Sequence, residues 1–225
     1  HYLDNDNDGT NDAVLMNDYG KNQTTHVLLE ADGKIKEQRL YGGGMVATLA
    51  DLNAKIADGT MKLLQKIVYL TDNAQLIVKY HALGAPIRYS LQQDLGNKRT
   101  LIASPVTSTG LVRDDTIFTL QEELADGSIL VAVPVNSDGS AKTDTRYSKQ
   151  TVLPDGGTLI ASPVGSDGSA TADTQYAKQK DIADDFVLIS SPVDASGAAN
   201  ADTRYSKQKE LEDGSLLTAS PVNAD

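Results

Sequence analysis

A 29-residue period runs through residues 88–225, and no other feature of this chain limits its folding so strongly. Five of the seven prolines, Pro105, Pro134, Pro163, Pro192 and Pro221, stand 29 residues apart with no gap. Tyr89, Phe118, Tyr147, Tyr176 and Tyr205 keep the same step, and so do Leu101, Leu130, Leu159, Leu188 and Leu217. A glutamine follows each aromatic by three residues, an aliphatic follows it by six, and a valine follows each proline. Gly110, Gly139, Gly168 and Gly197 complete the frame. Self-similarity at a fixed period means one supersecondary unit stacked on copies of itself.

Tyr205 to Leu211 is an even separation, which places both side chains on one face of an extended strand. Asp213-Gly214 then gives a tight turn, because glycine tolerates positive φ and aspartate bonds its own backbone. The return strand, Leu216 to Val222, carries Leu217 and Ala219 on one face and Val222 on the other. Its proline lacks an N–H and suits a strand end or an edge. A second turn, Asp138-Gly139 or Asp167-Gly168, leads into the next unit. Each unit therefore reads as a β-hairpin plus a polar turn. The second copy exchanges Arg-Tyr for Ile117-Phe118, and the fourth replaces Asp-Gly with Asp184-Asp185. What recurs is apolar or turn chemistry, and what varies is charge. The tyrosine and leucine rows are therefore expected to be packing residues, with a ligand-binding row as the alternative.

Composition narrows the function. Across 225 residues the formal charge is −11, from 31 acidic against 20 basic residues. Both halves are acidic, so neither offers the basic excess that a phosphate backbone requires, and no nucleic-acid partner is expected. With no cysteine, a disulfide framework and a CxxC metal site are excluded. No apolar run approaches the ~18 residues of a membrane span, so no membrane insertion is expected. Only 40% of residues are hydrophobic and none is Trp. A lone hairpin is marginal in water, so these hairpins must stack on each other, on other chains, or on both.

The chain divides into residues 1–40, 41–87 and the array at 88–225. In the first region Asp4, Asp6, Asp8 and Asp12, with Thr10 and Gly9 between, space oxygen ligands as a sharply turned Ca²⁺ loop does. A solvated acidic turn is the alternative. The glutamate that closes an EF-hand is missing, since Leu15 stands there, and an apolar strand from Ala13 follows instead of a helix. The run DNDNDGTNDAVLMNDYG, followed by THVLLEADGKI, resembles an FG-GAP (VCBS-type) repeat. That resemblance implies one propeller blade over residues 4–35 and a Ca²⁺ ion held by the loop.

Gly42-Gly43-Gly44 precedes Met45 to Ala57, where Met45, Leu49, Leu52 and Ile56 form an apolar stripe ended by Asp58-Gly59. This predicts one short helix, packed on a sheet or in a brief trimeric coiled coil. Lys66–Leu70 and Gln75–Tyr80 read as a further hairpin. His1, His26 and His81 are far apart in sequence, neither H-E-x-x-H nor G-x-S-x-G occurs, and His81 reads as a packing residue. Asn22-Gln23-Thr24 is a lone glycosylation triplet.

The fold expected is mainly β: an elongated array of 29-residue β-hairpin repeats after a small mixed N-terminal region with one short helix. A short heptad segment followed by acidic, cysteine-free hairpin repeats resembles bacteriophage tail fibres and other virion appendages. That resemblance implies a non-enzymatic structural protein assembled from identical chains, as a trimer, and joined to other virion or surface proteins. Too few large apolar residues per unit lead to the further expectation that an isolated chain leaves Leu101-type and Val106-type side chains wet. A secreted calcium-dependent adhesin or surface-repeat protein is the alternative, favoured by the FG-GAP-like start. A polysaccharide hydrolase requires acidic pairs lining a groove between subunits. The glycine series calls for its next member one residue past Asp225, so the chain is expected to be part of a longer protein.

Overall fold

The structure is a computed structural model that describes residues 2–3, 12–71, 73–80, 85–182, 186–211 and 215–223, with the backbone alone at 2, 3, 87 and 210. Among the described residues it is mainly β with one helix, as the repeat and the apolar stripe from Met45 predict. Two compact units divide it: residues 1–93 with 104–116, and residues 94–103 with 117–225.

In the first unit the strands β1 (Tyr2–Leu3), β2 (Ala13–Asp18), β3 (Gln23–Leu29), β4 (Ile35–Gly42), β5 (Lys62–Thr71), β6 (Ala74–Tyr80) and β7 (Pro86–Gly96) pair antiparallel in chain order. The helix α1 (Leu49–Ala57) lies between β4 and β5 in sequence. It starts later than the stripe from Met45 suggests, because Thr48 caps it: its hydroxyl accepts the Asp51 N–H at 3.1 Å. It ends where Asp58 and Gly59 donate their N–H groups to Ala54 and Ile56. Leu52 packs with Leu15, Tyr41, Val46 and Met61, so the helix rests on the sheet within a single chain. Val46, before the helix, is buried, whereas Ile56 of the stripe is exposed. The connecting segment is held by Asn17, which accepts the Thr24 hydroxyl at 2.7 Å and donates to the Val46 carbonyl at 2.9 Å.

The second unit repeats one hairpin. Long strands β9 (Val112–Glu123), β11 (Ala141–Val152), β13 (Ala170–Asp181) and β15 (Ala199–Glu210) alternate with short β10 (Ile129–Val135), β12 (Thr158–Val164), β14 (Val187–Val193) and β16 (Leu216–Ala219). All pair antiparallel with their neighbours in sequence. Another short strand, β8 (Arg99–Val106), precedes them and carries the first frame proline. The peptide bonds into the five frame prolines are cis.

Proline has no N–H to give the ladder, and the pairing of β10 with β11 shifts register between Val133 and Val135. Strict alternation would put Val135 on the face opposite Leu130 and Ala132. The bulge turns it back, and Val135 is buried in one cluster with Ala132, Leu101 and Leu120. The expectation of valine on the other face is thus corrected, and β12 and β14 show the same shift. Threonine closes each bulge: the hydroxyls of Thr145, Thr174 and Thr203 donate to the carbonyls of Pro134, Pro163 and Pro192, each at 2.6 Å.

Beyond the bulge the chain folds over the sheet face that holds the leucines. Gly139 meets Leu95 and Leu120, Gly168 meets Leu124 and Leu130, and Gly197 meets Leu153 and Leu159. Gly168 has φ +79, and a Cβ there would stand 2.8 Å from the Leu124 Cδ1, so any larger residue strains the backbone and displaces Leu124. Each turn therefore covers the hairpin before it. Leu101, Leu130, Leu159 and Leu188 are 4%, 6%, 7% and 8% exposed, whereas Leu217, with no described unit after it, is 46% exposed. The expectation that Leu101 and Val106 stay wet in an isolated chain is overturned, since one chain buries both.

Candidate functional site

Of the five residues proposed to hold Ca²⁺, Asp4, Asp6, Asp8 and Thr10 lie outside the described residues. Asp12 is described, and its carbonyl accepts the Leu29 N–H at 2.7 Å. Among the described residues no group of three or more His, Asp or Glu side chains could hold a metal ion. His81 and Asp184-Asp185 also lie outside the described residues. Asn22 of the glycosylation triplet sits at φ 53 in the β2–β3 turn, while Thr24 is fully buried.

The aromatic and leucine rows come together on one sheet face. Phe118 and Tyr147 pack on the cluster of Leu101, Leu120, Ala132 and Val135, and Tyr147 and Tyr176 on that of Leu130, Ala161 and Val164. Tyr89 and Tyr205 are likewise half-buried. Beside Tyr147, Tyr176 and Tyr205 a half-open cleft recurs, with volumes of about 220, 200 and 330 Å³. The floor is the repeated leucine and valine, and the lip is the covering turn with its glycine. Ligand pockets usually span ~300–1,000 Å³ and enclose most of their ligand. Two of these clefts fall below that range, and their polar rims differ. Arg99 and Glu122 line the first, Lys149 and Thr151 the second, and Asp155, Lys178 and Lys180 the third. An apolar floor repeated beneath an unrepeated rim is the geometry of packing.

Ion pairs also follow the period. Lys149 reaches Asp126 at 2.7 Å and Lys178 reaches Asp155 at 2.6 Å, each lysine bonding the turn of the hairpin before it. The Lys178 hydrogen bond, then the Gly157 N–H, lower the Asp155 pKa to about 2. Asp126 is lowered for the same reasons, by Lys149 and then Ser128. These carboxylates are solvent-exposed and ionised near neutrality, so they neither hold nor deliver a proton there.

Among the described residues, the charged group most withdrawn from water lies in the first unit, where the sequence reading placed no site. His26, Glu37 and Arg39 fall on neighbouring β3 and β4, and Lys66 lies across from Arg39 on β5. Glu37 bonds Arg39 and, at 2.7 Å, Lys66. Burial alone would raise the Glu37 pKa, but these hydrogen bonds outweigh it and the net shift is downward. His26 is 5% exposed and its Nε2 has no hydrogen-bond partner. Burial, then the charge of Arg39, lower its pKa, with Glu37 opposing. The signal in the sequence was Glu37 and Arg39 at i, i+2 inside a strand, which points two charges to one face. The cluster holds a neutral imidazole beside a carboxylate tied to two cations. It serves as a structural knot in a sheet whose next layer is the helix.

Compared with protein families, with curated proteins and with solved structures, the chain matches none.

Proposed function

We propose that this chain is a non-enzymatic structural segment of a virion appendage of tail-fibre type, assembled from identical chains. One observation carries this reading: a unit recurs without a gap, and most of its recurring positions serve packing or turns. Leucine, valine and tyrosine fill the covered face, proline and threonine make the bulge, and glycine makes the covering turn. The charges that vary between copies sit at rims and turns. Catalysis needs a particular side chain in one place, whereas a shaft needs the same joint many times over. The calcium-loop-like run from Asp4 to Asp12 favours a secreted calcium-dependent adhesin as the second reading.

Antibodies raised against residues 88–225 separate the two. Gold label along appendages of virus particles supports the first reading, and label spread over a bacterial cell wall supports the second. Polysaccharide-cleaving activity of the purified chain would overturn both.

A further inference from the structure

The covered face of the second unit has an opposite side, and no described element of that unit lies over it. The register places Val131, Ile160 and Ile189 along its middle, with Gln121, Gln150 and Gln179 as their cross-strand partners. All six are half-buried. In a chain with 23% charged residues, the interior positions of this face are uncharged. Charge begins only at its two margins. Arg146 and Arg204 stand exposed at the bulge end, paired with Val133 and Ser191. Glu123 and Asp181 stand exposed at the hairpin end, paired with Ile129 and Val187. Glu123 also bonds Lys98 at 2.5 Å.

A strip without charge, edged by opposite signs, matches the anatomy of a protein interface: depleted of charge at its centre and polar at its rim. Its size is also right. Eight strands at ~4.8 Å and six residue steps at ~3.3 Å give roughly 750 Å², against about 800 Å² per partner in a standard interface. Two such faces pack aligned if one copy is turned about a two-fold axis lying across the strands. That rotation reverses strand direction and lays the arginine margin of each copy over the acidic margin of the other. A two-fold axis along the strands would set arginine over arginine.

We infer that this uncharged face is the joint between two copies of the chain, packed face to face with their strands reversed. The inference rests on the shaft reading and deepens it, with a two-fold pair in place of the trimer implied by resemblance. Sheet faces with mixed Ile and Gln also hold the partner without exposing a wholly apolar patch in the free chain.

Sedimentation velocity of the full chain at about 10 µM tests this, with folding checked by circular dichroism. The wild type is expected as a dimer. Ile160→Lys places two like charges in the joint and is expected to weaken dimerisation at least about tenfold. Thr143→Lys, at an exposed position off this face, should leave it unchanged. If Ile160→Lys does not fold, Gln150→Lys replaces it. The pair Arg146→Glu and Arg204→Glu should weaken the dimer, and adding Glu123→Lys and Asp181→Lys in the same chain should restore it. A folded monomeric wild type would overturn both this joint and the shaft reading. An oligomer indifferent to Ile160→Lys and Gln150→Lys would overturn the joint and leave the shaft standing. Loss without restoration in the four-fold variant would overturn the reversed orientation.

Discussion

In the first unit a helix is inserted between two strands to cover one sheet face, whereas in the second the turns of the array cover it. The helical cover brings large side chains of its own, Leu52 and Leu49, onto Leu15 and Tyr41. The turn cover brings almost none, because the residue that meets the leucines is glycine. One unit gains its core by adding an element and the other by bending an existing strand pair at a proline. The second route needs few large apolar residues, which is how a chain with 40% hydrophobic residues buries its leucine row without a partner.

The largest expected effect comes from removing the helical cover. Leu52 is 1% exposed, and Leu52→Ala should cost about 3 kcal/mol through lost transfer energy and the cavity left behind. Native-state hydrogen exchange should then show earlier opening of β2 to β5 with β10 to β15 unchanged; equal loss in both units would break the comparison. The turn cover has a built-in control. Gly168 and Gly156 have nearly the same φ, +79 and +80, but only Gly168 meets a neighbour. Gly156→Ala pays the left-handed backbone alone, about 1 kcal/mol, and Gly168→Ala pays that and displaces Leu124, about 2 kcal/mol in all. Equal midpoints in urea for the two variants would show that the turn covers nothing.

The smallest effect is on pH. His26 titrates below its ordinary 6.5 in the fold, so between that lowered value and 6.5 the unfolded chain binds more protons. Stability of the first unit should therefore fall as pH drops through this window. Glu37, lowered below 4.5, adds a second loss at more acid pH, where its pairs with Lys66 and Arg39 are protonated away. In the second unit Asp155 keeps its charge to about pH 2, so the Lys178 bond outlasts the His26 step. His26→Gln should abolish the first acid step in a thermal-melt series, and a step that survives would assign it elsewhere.

Much of this architecture is legible in the residues, and the illegible parts share a cause. The hairpin, its turns and the packing roles of Tyr147 and Leu130 follow from spacing and parity, which are local. The face of Val135 does not, because parity fails at a bulge and only the missing N–H of Pro134 hints at one. The burial of Leu101 within a single chain was also hidden. It depends on Ala132 and Val135 of the next unit sharing a cluster with it, a long-range packing that no alternation rule describes. The Glu37 and Arg39 neighbours of His26 escaped notice because sequence distance hides cross-strand neighbours. The calcium-loop residues are the reverse case, with a clear sequence signal over a segment that is largely outside the described residues.

The graded exposure of the leucine row has a consequence for how such a chain changes over time. Leu159 is covered by the Gly197 turn of the unit after it. A duplication or excision of 29 residues in frame therefore presents each remaining unit with the same neighbour as before. Register, bulge and covering turn are all restored at the new junction, so recombination between copies yields a folded product of altered length. Any other step size would set a strand where a turn must be. Length in this molecule is counted in whole units, and the period acts as the smallest increment by which it can be lengthened or shortened.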